Sequence, residues 1–164
     1  MIFHQALAFR AMDALVTVLA VLGALVAVLV LAVVAGVAVG RGLPVAHSAS
    51  RAATFAAPPE RVWATINDPA FMRSRGVGDV KTQVVESTPP RRLVRRIVGE
   101  RDFGGTWTSE LEPSAGGGTR LVITEDGEIY NPFFRFVSRY VLGHHRTIDA
   151  FMGALRERLT ADAR

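Results

Sequence analysis

Glu125 is the side chain of this sequence that is best placed for acid–base chemistry. On a predicted strand over residues 119–130, strict alternation sends Leu121 and Ile123 towards the core and carries Glu125 to the same face. A carboxylate inside a protein must be paired, neutral or hydrated, and such perturbed groups concentrate at functional sites. Glu125 is therefore a candidate general base, unless a bulge near Asp126 and Gly127 turns it outwards.

Arg95 and Tyr130 are the candidates to assist Glu125 in catalysis. In one register of its strand, Arg95 shares a face with Leu93 and Ile97 and is the candidate partner of the carboxylate. The opposite face of that strand is equally amphipathic, so the sequence leaves the register open.

The remaining polar residues exclude several kinds of chemistry. The chain has no Cys, which excludes thiol catalysis, disulfides and Cys-ligated metal centres. His144 and His145 are adjacent, so on a helix they point about 100° apart and do not chelate one ion; His145 and Asp149 could, but two ligands make a poor site. We predict no metal and no cofactor, since no nucleophile with its base and no phosphate-binding loop can be assembled.

The charge is moderately basic, with 19 Lys plus Arg against 15 Asp plus Glu. Four arginines that fall close together, Arg91, Arg92, Arg95 and Arg96, could attract anionic lipid headgroups. A nucleic-acid partner is not predicted, because such a site would want aromatic residues interleaved with the cations.

The elements that must position these residues follow a clear order. Turn signals rich in Pro, Gly and Asp separate the strands, which favours antiparallel hairpins, and apolar residues at helical spacing follow Asn131 and Pro132. The predicted elements are a strand over 51–56, short helices over 60–66 and 70–75, strands over 80–86, 93–98, 106–112 and 119–130, and one long helix over 132–161, kinked at Gly143.

This order and two stretches of sequence resemble a known superfamily. APPERVWATINDPAFM is similar to the opening motif of the SRPBCC or START-like superfamily, the polyketide cyclase/dehydrase and lipid-transport group, and GGTWTSELEPSAGGGTRLVITEDGEIYNPFFRFVSRYVLGHHRTIDAFMGAL resembles its closing half. The resemblance implies an α+β helix-grip fold, in which an antiparallel sheet wraps on the C-terminal helix.

The chain departs from the family pattern in the length of its sheet. The family has seven strands, but only residues 74–78 stand where a hairpin is expected, so we predict about five strands. The strand over 51–56 should then be a sheet edge that pairs with 119–130. A five-stranded sheet grips less of the helix, which puts a closed ligand cavity in doubt.

Aromatic residues are the candidates to line any cavity that remains. An aromatic lining suits an apolar ligand. The candidate ligand-binding residues are Trp63, Phe71, Phe103, Trp107, Tyr130, Phe134 and Phe151.

An uncharged run over residues 14–40 precedes the START-like region. A helix of that length covers roughly 40 Å, more than the ~30 Å hydrocarbon core, whereas the apolar part of a cleaved signal runs only ~7–15 residues. We predict a short tail over 1–13, a single transmembrane helix over 14–40, a linker over 41–50 and the START-like domain over 51–164.

The flanks of this run give two weaker predictions. Ala32, Gly36 and Gly40 recur every four residues, a small-residue spacing that favours a homodimer through the membrane helix. Arg41 and Arg51 follow the run and outnumber Arg10 before it, which favours a cytoplasmic START-like domain.

Three functions are compatible with these features. The first is a membrane-anchored domain that binds or shields a hydrophobic small molecule, a lipid for instance, without catalysis. The second is a cyclase- or dehydratase-like enzyme with Glu125 as general base. The third is a membrane-tethered interaction module that offers an edge strand to a partner.

Overall fold

The computed structural model describes residues 2–74 and 80–162. The end of the second short helix, at Arg75, and most of the loop predicted at 74–78 lie outside these residues. The elements in chain order are α1 (Ile2–Arg41), β1 (Ala46–Phe55), α2 (Pro59–Asn67), α3 (Pro69–Ser74), β2 (Thr82–Thr88), β3 (Arg92–Ile97), β4 (Phe103–Ser114), β5 (Gly118–Ile129), α4 (Pro132–Val137), a π-helical turn (Ser138–Leu142) and α5 (Arg146–Ala161).

The five strands form one antiparallel sheet in the order β1-β5-β4-β3-β2. This confirms the predicted five-stranded sheet and the edge position of β1, which pairs among the described strands with β5 alone. The strand begins at Ala46 instead of Arg51, so the second half of the predicted linker over 41–50 is strand.

The core lies between one face of the sheet, α2 and α5. Leu121 and Ile123 on β5 are fully buried, as their alternation predicts, and Leu111 on β4 is almost so. The ring of Trp107 meets that of Phe151 on α5 edge-on, with centroids 5.6 Å apart. The sheet therefore wraps on the last helix in the helix-grip manner.

The C-terminal region, predicted as one long helix kinked at Gly143, is interrupted at that residue and forms separate helices. Asn131 caps α4 by accepting a hydrogen bond from the backbone N–H of Phe133 at 2.9 Å. The chain then makes a π-helical turn, and Gly143 leaves the helix with a φ of 74°, a conformation that favours glycine. α5 supplies buried residues to the core, whereas α4 and the π-helical turn have none and α4 packs on α1.

α1 begins at Ile2, so the tail predicted over 1–13 is helical from that residue onwards. Its stretch Leu15–Arg41 is long and apolar enough to cross a membrane. The last turns of α1 pack on α4: a side chain at Gly36 would touch the rings of Phe133 and Phe136, and one at Gly40 would collide with the backbone of Pro132. Two of the three small residues predicted for a homodimer thus face α4 of the same chain.

Candidate ligand cavity

A cavity of about 640 Å³ lies between the inner face of the sheet and the helices that follow it. Most of its surface is apolar, with side chains from the sheet, α4, the π-helical turn and α5. The apolar lining includes Leu93, Ile97, Trp107, Ile129, Val137 and Phe151. The five-stranded sheet therefore still borders a cavity, which is partly open to solvent.

Four of the seven aromatic residues predicted to bind a ligand line this cavity, namely Phe103, Trp107, Phe134 and Phe151. Phe71 instead belongs to the core, and Trp63 packs against the core. Tyr130 lies on the other side of β5 from Glu125, where its hydroxyl donates to Glu128 Oε2 at 2.7 Å. These three side chains do not line the cavity, so its geometry lends no support to their predicted contact with a ligand or to the assistance expected of Tyr130 in catalysis.

Glu125 lines the cavity from β5, where strict alternation holds through this position. Its side chain is 24% exposed, and Oε2 is buried with no hydrogen-bond partner among the described residues. Burial raises the pKa of this carboxyl above its ordinary value. The site therefore holds a carboxylate whose protonated form is favoured by its surroundings.

Arg95 also lines the cavity, which decides the register that the sequence left open. It does not pair with Glu125, however. Trp107 on β4 is the cross-strand neighbour of both Arg95 and Glu125, so β4 intervenes and the two backbone positions stand two strand spacings apart, about 9–10 Å. Arg95 Nη2 donates to Asn67 Oδ1 at 2.9 Å, and burial lowers the pKa of the guanidinium.

The residue that meets Glu125 is His47, which the sequence placed in a linker without partners. His47 Nε2 lies 3.8 Å from Glu125 Oε1 across the edge of the sheet. The sequence signal that could have placed His47 in the strand is two-residue spacing: His47 lies an even number of residues from Ala49 and Phe55, the buried residues of β1. Small polar residues weakened that signal, because they are poor strand formers.

His144 completes the polar end of the cavity. Its ring stacks on that of His47, and its Nδ1 lies 3.1 Å from the Ser138 hydroxyl. Burial lowers the pKa of both imidazoles, with a further lowering of His47 by His144 and of His144 by Arg139. Asp126 opposes this shift at His47.

The polar end of the cavity brings the carboxyl of Glu125 together with the imidazoles of His47 and His144. The pKa of the Glu125 carboxyl is raised and that of the His47 imidazole is lowered. The two pKa values therefore lie closer together than those of a free Glu and a free His. In the described residues no three His, Asp or Glu side chains are grouped to hold a metal ion. Asp149, the other half of the His145 pair, is bonded to Arg51 Nε at 3.0 Å.

Solved structures share this arrangement of sheet and helices. A protein from Mesorhizobium loti matches with a TM-score of 0.56 at 15% identity, over 72% of this chain and 99% of its own. A conserved protein from Geobacillus kaustophilus gives 0.59 at 15% identity, over 71% and 97%. A START superfamily protein from Mycobacterium smegmatis gives 0.55 at 14% identity, over 70% and 98%. The chain has a START-like fold.

The likeness extends to the fold alone. No family model and no curated protein matches the sequence. At identities this low, a START-like fold does not identify a ligand or a reaction. The function must be argued from the cavity.

Proposed function

We propose that the START-like region binds a hydrophobic small molecule, a lipid, in its cavity and performs no chemistry on it. The observation that carries this proposal is the cavity itself. Its volume of about 640 Å³ falls within the ~300–1,000 Å³ typical of small-molecule sites, and most of its lining surface is apolar. The interaction module is less favoured, because a docking domain needs no such space in its core.

The purified full-length chain tests this proposal by native mass spectrometry followed by lipid extraction. Ala150 lines the cavity from α5, so Ala150→Trp should fill it and remove the co-purifying mass. Ala64 is exposed on α2 away from the cavity, and Ala64→Trp is the matched control. A chain without bound small molecule, or equal occupancy in the two variants, would contradict the proposal.

We also propose that α1 anchors this region in a membrane as a single span. The side chains of the stretch Leu15–Arg41 are exposed in the structure and find no protein surface to cover them over most of its length. Arg41 at its end favours a cytoplasmic START-like region. The chain should stay in the membrane fraction after alkaline carbonate washing; a soluble species that begins near residue 45 would show a cleaved leader instead.

A second function is favoured by one observation, the unpaired and buried oxygen of Glu125. With His47 beside it, this carboxyl could act as general base on an enolisable, polyketide-like substrate. Glu125→Gln would then lower turnover by ~10²–10⁴ and leave binding intact. If the cavity only binds, the substitution preserves side-chain volume and should change affinity by no more than about threefold, under 1 kcal/mol.

A further inference from the structure

The segment 132–142, which comprises α4 and the π-helical turn, exposes large apolar side chains at its surface. Phe134 is 48% exposed, Tyr140 61%, Val141 68% and Leu142 47%. The segment PFFRFVSRYVL contains two arginines and no acidic residue. A cluster of exposed apolar side chains on one short segment marks an interaction surface.

The contacts of the segment 132–142 with α1 indicate what covers its exposed apolar side chains. Gly36 and Gly40 let Phe133, Phe136 and Pro132 pack closely against the last turns of α1. Arg135 adds a bond from Nη1 to the backbone oxygen of Leu43 at 2.8 Å. The segment 132–142 is therefore held beside the end of the apolar stretch that precedes Arg41.

The length of the apolar stretch places the contact of Gly40 with Pro132 at the level of the lipid headgroups. The stretch Leu15–Arg41 has 27 residues and covers about 40 Å, against a hydrocarbon core of ~30 Å. Shared between the two ends, the excess of about 10 Å is about 5 Å or three residues at each, so Gly40 falls at the interface and Gly36 one turn deeper.

We propose that the segment 132–142 lies in the plane of the bilayer interface, with Tyr140, Val141 and Leu142 inserted at the boundary between headgroups and acyl chains. Tyr is enriched at this level of membranes, and the exposed Arg139 can meet anionic headgroups. The inference rests on the proposed anchoring by α1. Phe134 and Leu142 also line the cavity, so this wall of the cavity faces the lipid, and a hydrophobic molecule can pass between bilayer and cavity without crossing water.

Single thiols test the proposal without background, because the chain contains no Cys. The full-length variants Val141→Cys, Val28→Cys and Ala115→Cys would be labelled with the environment-sensitive dye NBD and reconstituted in vesicles of phosphatidylcholine and phosphatidylglycerol. Val28 lies in the middle of the apolar stretch, and Ala115 is exposed in the β4–β5 turn. Lipids that carry a spin label near the headgroup or deep in the acyl chain, together with aqueous iodide, then report the depth of each dye.

At Val141 we expect blue-shifted emission that is quenched by the spin label near the headgroup. At Val28 the spin label deep in the acyl chain should quench the dye, and at Ala115 only iodide should do so. If Val141 behaves as Ala115 does while Val28 is deep, the interface position is wrong and the anchor stands. If Val141 is shielded from iodide and from both spin labels, a second copy of the chain covers the segment and the proposal fails. An aqueous signal at Val28 overturns the anchor and this inference together, whereas cavity binding is judged separately by the extracted lipid.

Discussion

The imidazole rings of His47 and His144 stack with their centroids 4.1 Å apart and their planes inclined by 24°. His47 belongs to the edge strand β1, and His144 to the break between the π-helical turn and α5. The contact thus joins the free edge of the sheet to the segment that closes the cavity. Acidic pH should destabilise this contact, because two stacked imidazolium ions would repel each other.

Acidification should destabilise the protein through this pair. The pKa values of His47 and His144 lie below the ordinary 6.5 in the fold, so stability is fully present above pH 6.5 and is lost as the pH falls from there through the lower folded values. His144→Phe keeps a ring for stacking and should flatten this part of the pH profile of thermal unfolding. His145→Phe at the neighbouring position is the control; an equal effect of both variants would dismiss the stacked pair as the cause.

Glu125→Gln should change the pH profile in the opposite direction. Burial raises the pKa of Glu125, so its contribution is fully present below the ordinary value of 4.5 and is lost as the pH rises through the folded value. The variant does not ionise, and its melting temperature relative to the wild type should therefore increase as the pH rises above 4.5. Glu100→Gln, at an exposed position between β3 and β4, should show no such trend. A parallel profile for Glu125→Gln would place the carboxylate in water.

The sequence predicts those parts of this site that depend only on the alternation of side chains along one strand. Two-residue alternation on β5 carries Glu125 inwards with Leu121 and Ile123, and the structure has this arrangement. The pairing of Arg95 with Glu125 could not be judged in this way, because shared orientation does not tell how many strands lie between two residues. Trp107 on β4 separates them.

His47 and the broken C-terminal helix show a different limit of sequence reasoning. His47 belongs to β1 because of its pairing with Gly127 on β5, more than seventy residues away, and its small neighbours give no local strand signal. In the C-terminal region, apolar spacing cannot show that α5 packs in the core while α4 packs on α1. The packing of α4 on α1 is likewise a long-range contact. The spacing of Gly36 and Gly40 indicates close packing at this face of α1, but it does not show which element packs there.

Trp107→Ala should impair the cavity more specifically than an equivalent loss of packing elsewhere. Trp107 lines the cavity and meets Phe151 edge-on, whereas Trp63 packs against the same core outside the cavity. Each Trp→Ala variant should lower the free energy of unfolding by about 3 kcal/mol. Only Trp107→Ala should also reduce the amount of lipid extracted from the purified chain. Equal losses of lipid in the two variants would mean that stability, and not the lining, governs occupancy.

Gly40→Val should separate α4 from the end of α1. A side chain at Gly40 would collide with the backbone of Pro132, which cannot move aside as a flexible side chain can, so the packing should weaken by about 1–3 kcal/mol. Gly23 lies in the same helix with open space around it, and Gly23→Val is the matched control. Hydrogen exchange of the reconstituted chain should show faster exchange of residues 133–142 in Gly40→Val alone. A homodimer through Ala32, Gly36 and Gly40 predicts a different result for Gly40→Val. Cross-linking would then show a shift towards monomer, and the exchange of residues 133–142 would not change. That outcome would show that the small residues pack on a second copy of the chain instead of α4.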